Sequence, residues 1–274
     1  MYYGLSGFNR TKWKARKWYH SLLKKVKGSN PIDWSKWVQN TYILHLEDRE
    51  DRYHILNKEL KTIKTTRGTL ADEVTWFPAL SNLISWPESL HIDNYSFEFH
   101  WVIDPDPWFF GYVDELNETQ IDCSEAETAI SIGHLKMWQK FLESDAEVAM
   151  FLEDDVVFDP HFENKITQIF EHELPTDWDM LYLGAMPNQY GFAYDDHSEN
   201  LLRLYSGVWW MSSYVLTRSA AQHLIDNLPI VGPVDVWINY QFEDLNVFMT
   251  KVNLIEQDFA TQSDNTYSFV EEFY

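Results

Sequence analysis

Short apolar runs suited to buried strands alternate along this chain with longer stretches whose apolar residues recur at helical spacing. "TYILHL" (41–46) predicts a strand, and the charged "EDREDR" leads into a helix from about Arg52 to Lys64. "DEVTWFPAL" (72–80), rich in β-branched and aromatic residues, predicts a second strand. From Ser81 to Asp122 no clear period emerges, and loops with short strands are expected. "SEAETAISIGHLKMWQKFL" (124–142) opens on Ser124 with Glu127 three residues on, a capping box ahead of an amphipathic helix. "EVAMFL" (147–152) is the next strand, and Asp159-Pro160 is suited to start a helix reaching about Glu173. "DMLYLGA" and "GVWWMSSYVLT" predict strands, "SAAQHLIDNL" and "VDVWINYQF" helices, and "LNVFMTKVNLIEQ" a last strand region. Such alternation predicts an α/β fold with a mainly parallel central sheet, in one domain over residues 39–274.

Ahead of that domain, residues 10–27 have a helical pattern of their own, with Trp18, Tyr19, Leu22, Leu23 and Val26 on one face. "GSNP" (28–31) breaks it, so residues 1–38 form a separate basic segment. Eight basic residues, from Arg10 to Lys27, precede the first acid, Asp33. That basic face suits an anionic membrane surface; a solvated basic helix, or one docked on the acidic body of the same protein, is the plainer reading.

Charge and composition narrow the functions open to it. The net charge is −22, with the basic residues concentrated at the start, so the main domain repels nucleic acid and favours divalent cations. One cysteine, Cys123, permits no internal disulfide and fits a reducing compartment. No apolar run approaches the roughly 20 residues that span a bilayer, and the first residues lack the apolar core of an export signal, so a cytoplasmic, at most peripherally membrane-bound protein is expected.

The candidate chemistry lies in "FLEDDVVF" (151–158), where Glu153, Asp154 and Asp155 follow a strand. In open α/β sheets ligands bind at the carboxyl ends of strands. Extended backbone would project Glu153 and Asp155 to one side and Asp154 to the other. Two carboxylates on one side suit a hard divalent cation that in turn holds a diphosphate. With 43 acids in 274 residues, one such triplet is expected by chance, so its context decides.

That context is an ordered set: "YILHLEDREDR", "FPAL", "EAETAISIGHLKMW", "FLEDDVVF", "DWDMLYLGA", "SSYVLTRSAAQHLI" and "PVDVWINYQF". Over roughly residues 41 to 265 it resembles glycosyltransferase family 25, which includes bacterial lipooligosaccharide galactosyltransferases and collagen galactosyltransferases. The resemblance implies a GT-A type, inverting transferase that uses a UDP-hexose, galactose or glucose, and manganese (or magnesium). It implies Glu153 and Asp155 as metal ligands, with Asp154 beside them at the donor. Arg49 and Arg52, after the first strand, and Glu127 and His134, in the helix before the metal strand, match further donor-side positions. Asp235 matches the acid of the family's "PVD" segment and is the candidate base. Family members commonly show Gly-Glu-(Ile/Val)-Gly-Cys and Ser-His where this chain has "AETAI" and Gly133-His134.

Plainer roles stand beside these. Asp235 suits the positive end of a helix, His134 a core position, and Arg49 and Arg52 a solvated charge run. Of Trp209 and Trp210, on opposite faces of a strand, one is expected in the core and the other free to stack on a sugar. Asp264, in "QSDN", is available as a third metal ligand, without a physical reason to prefer it to a turn. The expected partners are a nucleotide sugar and a glycan, glycoprotein or glycolipid acceptor. A GT-A-like carbohydrate- or nucleotide-sugar-binding protein without turnover is the alternative, and a phosphohydrolase lacks its compact His/Asp set.

Overall fold

The computed structural model describes residues 31–80, 97–98, 100–102, 120–187 and 191–258. The basic stretch 10–27, most of 81–122 and Asp264 lie outside the described residues. Eight strands form the central sheet: β1 Asn40–His45, β2 Val74–Pro78, β3 Val148–Glu153, β4 Met180–Pro187, β5 Ala193–Asp196, β6 Leu201–Ser206, β7 Val208–Thr217 and β8 Val247–Thr250. Their order across the sheet is β5-β6-β8-β4-β7-β3-β1-β2.

The expected α/β fold around a large central sheet is present, and the sheet is mixed. β2, β1 and β3 run parallel, as do β4 and β8. β7 enters antiparallel between β3 and β4, and β5 and β6 add an antiparallel edge. This edge hairpin has no counterpart among the predicted strands, because "AYDD" is exposed throughout and has no apolar alternation.

Each central strand alternates its side chains between two cores. Tyr42, Leu44, Ala149, Phe151, Tyr182 and Tyr214 face one core with helices α2 (Glu125–Leu142), α4 (Arg218–Asp226) and α5 (Val234–Trp237). Ile43, Met150, Leu152, Leu181 and Val215 face the other, with α1 (Glu50–Leu60) and α3 (Phe162–Gln168). Ile32, Trp34 and Val38 are buried in that second core. Burial on both faces explains why β1 and β3 are continuous apolar runs.

Local signals set the helices. Ser124 Oγ accepts from Glu127 N at 3.2 Å while Glu127 Oε2 accepts from Ser124 N at 2.8 Å, closing the predicted capping box of α2. The other end of α2 is held by Arg218, which donates to the carbonyls of Leu142 and Ala146 at 3.1 and 2.8 Å. Gly133 lets α2 approach β1, since a Cβ there would lie 2.7 Å from a Leu44 methyl. The helix expected from Asp159-Pro160 begins at Phe162 instead. Asp159 Oδ1 accepts from His161 N at 2.8 Å, a turn just outside the helix. "VDVWINYQF" is α-helical only to Trp237 and continues as a 3₁₀ helix over Ile238–Glu243.

Candidate active site

β3 ends at Glu153, and the chain turns at Asp154 and Asp155 before a short strand at Val156–Phe158. That strand pairs with Ile255–Gln257, which brings Gln257 to the triplet; its Nε2 donates to Asp155 Oδ2 at 3.2 Å. The turn rearranges the expected two-sided projection. Asp155 does not follow Glu153 to the α2 face as extended backbone would require. It lies beside Asp154, 3.7 Å from Arg52.

Asp154 is buried and compensated. Arg52 Nη1 donates to its Oδ1 at 2.9 Å, His45 Nδ1 lies 2.8 Å from its Oδ2, and Leu46 N donates to the same oxygen at 3.4 Å. Arg52 is itself buried, on the first turn of α1, so this pair ties the end of β1 to the end of β3. Arg49, one turn earlier, forks onto Asp51 at 3.0 and 3.1 Å and holds that carboxyl down at about 2.

Glu153 points toward α2, where Oε1 lies 3.5 Å from His134 Nε2. His134 is fully buried, and burial lowers its pKa to about 3, so the ring is neutral. Its tautomer follows from its neighbours. Trp138 Nε1 donates to the Tyr214 hydroxyl at 2.9 Å, and that hydroxyl lies 2.7 Å from His134 Nδ1. An indole N–H only donates, so the buried Tyr214 proton finds its acceptor at His134 Nδ1. The imidazole proton is then on Nε2, facing Glu153.

Three carboxyls at this rim are pushed up. Glu153 and Asp155 rise to about 7, chiefly through burial, then through repulsion from Asp154 and from Glu153 respectively. Asp235, half-buried at the start of α5, rises to about 6 through burial, offset by the Trp210 N–H and reinforced by Glu127 and Glu153. Arg52 opposes part of the rise at both Glu153 and Asp155. Among the described residues, none donates a hydrogen bond to the buried Asp155 Oδ1.

The structure therefore gathers Glu127, His134, Glu153 and Asp235 on the α2 face and Arg52 and Asp154 on the α1 face, with Asp155 between them, 3.7 Å from Arg52 and repelled by Glu153. Arg49 stands apart on Asp51. Trp209 packs against the first core, and Trp210 is half-buried at the rim. Among the described residues, no three His, Cys, Asp or Glu side chains form a ready-made metal cage. The orphaned Asp155 oxygen and the raised carboxyls nonetheless fit a divalent ion held by one or two carboxylates and completed by phosphate oxygens, a mode usual for magnesium. His45, Gln257 and Tyr214 were not predicted as site residues. His45 and Tyr214 lie inside the quoted motifs, whereas Gln257 arrives only through strand pairing.

A family model described as "Glycosyltransferase family 25 (LPS biosynthesis protein)" matches residues 113–238, which hold all these acids but neither arginine. The chain is 25% identical over 216 residues to a "Glycosyltransferase 25 family member" of Aedes aegypti, covering 76% of this chain and 31% of that protein. It is 23% identical to "Procollagen galactosyltransferase 2" of Homo sapiens over 47% of this chain and 21% of that protein. It is 26% identical to "Probable inactive glycosyltransferase 25 family member 3" of Bos taurus, over 48% and 23%. The chain thus spans less than a third of the length of these relatives. A solved UDP-glucose pyrophosphorylase complexed with UDP-glucose aligns over 78% of this chain and 90% of that one, at 9% identity and a TM-score of 0.35, too slight a likeness to bear on the fold. Over the segment that carries the clustered acids, the resemblance to glycosyltransferase family 25 that the motifs implied is borne out.

Proposed function

We propose that this protein is a hexosyltransferase of GT-A type that moves galactose or glucose from a UDP-sugar to a hydroxyl of a glycan or glycosylated acceptor, inverting the anomeric carbon. The observation that carries this reading is the crowded rim: Glu153, Asp155 and Asp235, all raised in pKa, with one buried Asp155 oxygen lacking a partner among the described residues. Asp155, with Glu153, would hold a manganese or magnesium ion. Such an ion supplies electrostatic stabilisation to the departing diphosphate. The nucleotide would extend toward the end of β1, where His45, Tyr53 and Trp76 form a half-buried aromatic cluster with ring centroids 4.6 to 5.8 Å apart.

Asp235 is the base. Its Oδ2 accepts from Trp210 N at 3.3 Å, and the carboxylate would take the acceptor's hydroxyl proton. As that proton moves to Asp235, the acceptor oxygen bonds to the anomeric carbon and the carbon–oxygen bond to the diphosphate breaks, with its electron pair leaving on UDP. Base catalysis of this kind contributes about 10²–10⁴-fold. A pKa near 6 leaves Asp235 ionised at neutral pH yet more basic than an ordinary aspartate.

The test is UDP release from UDP-galactose and UDP-glucose with manganese. Release is expected from the wild type and lost in Asp155→Ala. Asp235→Asn should abolish transfer while donor binding persists. Binding of a UDP-sugar without release by any acceptor tried would favour the reading without turnover, which the name of the Bos taurus relative keeps in view. No donor-induced thermal shift with any divalent metal would defeat both.

A further inference from the structure

Asp235 is held in place by an element that the mechanism above does not use. Gly207 alone joins β6 to β7, at φ 81°, and a Cβ there would fall 2.1 Å from the Gly191 carbonyl oxygen, so the crossing needs glycine. β7 then bulges: Trp209 pairs with Met186 and Ser213 with Gly184, leaving three residues of β7 opposite one of β4. Within this bulge Trp210 adopts φ 72°, and it is the one non-glycine residue with positive φ among those described. A bulky side chain in that region is strained, and such strain persists only where its surroundings over-determine it.

Asn239 fastens the entry of the bulge. Its side chain is 2% exposed and uses every polar atom. Oδ1 accepts from Gly207 N at 2.9 Å and Val208 N at 3.0 Å. Nδ2 donates to Val208 O at 2.9 Å and to the backbone carbonyl of Asp235 at 2.7 Å. One amide therefore joins the entry of the bulge to the helix that carries Asp235. Two residues beyond Val208, the bulge turns the Trp210 N–H onto Asp235 Oδ2 at 3.3 Å. The bulge also overhangs the site, because Ser213 is the last β7 residue paired with β3, opposite Leu152, the neighbour of Glu153.

We infer that Asn239 and the left-handed Trp210 form a clamp that engages one oxygen of Asp235 and presents the other to the acceptor, which makes Asn239 a positioning residue of the transfer. The inference rests on the base assignment under the proposed function. Asp235 is also faced by Cys123, Glu127 and His134 from α2 and its approach, by Glu153 from β3 and by Tyr182 from β4. The hydrogen bonds to its carboxylate come from the backbone, from the Trp210 N–H and from its own.

The test uses the full chain labelled with carbon-13 at aspartate carboxyls, with the Asp235 signal assigned by its loss in Asp235→Asn. In Asn239→Ala, and in the milder Asn239→Ser should the first not fold, the bulge loosens and the Trp210 N–H withdraws. The Asp235 titration midpoint should rise by half a unit or more, and the acid limb of the pH–rate profile should move with it. kcat should fall at least tenfold while the donor KM stays within twofold. Trp210→Gly keeps both the N–H and the positive φ, so the Asp235 midpoint should stay in place. An unmoved midpoint in folded Asn239 variants, or an equal movement in Trp210→Gly, overturns the clamp. Absence of transfer by the wild type defeats the proposed function, and the titration still judges the clamp.

Discussion

The two sides of the β3 terminus treat the same chemical group in opposite ways. On the α1 side, Asp154 has one oxygen on Arg52 and the other on His45, and its side chain is 5% exposed. On the α2 side, Glu153 faces a neutral His134 at 3.5 Å, and its side chain is 17% exposed. One carboxylate is neutralised by the fold, whereas its neighbour is left with its charge opposed by burial and by other acids. The compensated side fixes the geometry of the strand end. The uncompensated side stores electrostatic repulsion that a bound cation would relieve, and ligand binding would therefore act there.

The largest effect expected from disturbing this contrast is on the compensated side. Arg52→Met strands a buried Asp154 carboxylate, and breaking a buried pair costs about 3–5 kcal/mol; urea denaturation should report that loss. If the variant unfolds with wild-type stability, Asp154 does not depend on Arg52. Next, Tyr214→Phe removes the hydroxyl that serves both Trp138 and His134. A buried donor left unsatisfied costs about 1–3 kcal/mol, and manganese-dependent release should also decline as Glu153 loses its fixed neighbour.

At Asp155, pushed up to about 7 although Arg52 lies 3.7 Å away, the sign reverses. Without metal at pH 7.5, Asp155→Asn should raise Tm by about 2–4 °C, the shift for roughly 1 kcal/mol in a domain of this size, while abolishing stabilisation by manganese. A fall in Tm would mean that Arg52 and Gln257 outweigh burial and repulsion at Asp155. The smallest effect concerns pH. Asp235 has a folded pKa of about 6 against 3.8 for an ordinary aspartate, so the unfolded chain releases this proton first. Its contribution therefore lowers stability as pH rises from about 4 to about 6, and levels off above. The difference in Tm between Asp235→Asn and wild type should grow in favour of the variant over that window and stay constant beyond it.

Parts of this contrast are legible along the chain and parts are not. β1, β3, α2 and α4 follow from apolar runs, a capping box and helical spacing, because those signals act within a few residues. The edge hairpin β5–β6 escapes notice because its outer strand is wholly exposed and lacks the alternation that marks a strand. The opposite environments of Glu153 and Asp154 depend on Arg52, His45 and His134, which approach from other elements. Asp155 comes within 3.7 Å of Arg52 only because the chain turns at 154–155. The capping role of Glu127 was readable in the spacing Ser124-x-x-Glu127; its nearness to Asp235 was not.

By itself, the amino-acid sequence determined the α/β alternation, the placing of three acids at a strand end and the family resemblance, since each is set by order and spacing along one chain. The tertiary structure decided which acid is neutralised and which is not. It also decided how β7 threads antiparallel through the sheet and how Asn239 fastens the bulge to Asp235. Charge compensation and hydrogen-bond satisfaction are properties of neighbours in space, and the neighbours here are up to 109 residues apart in the chain.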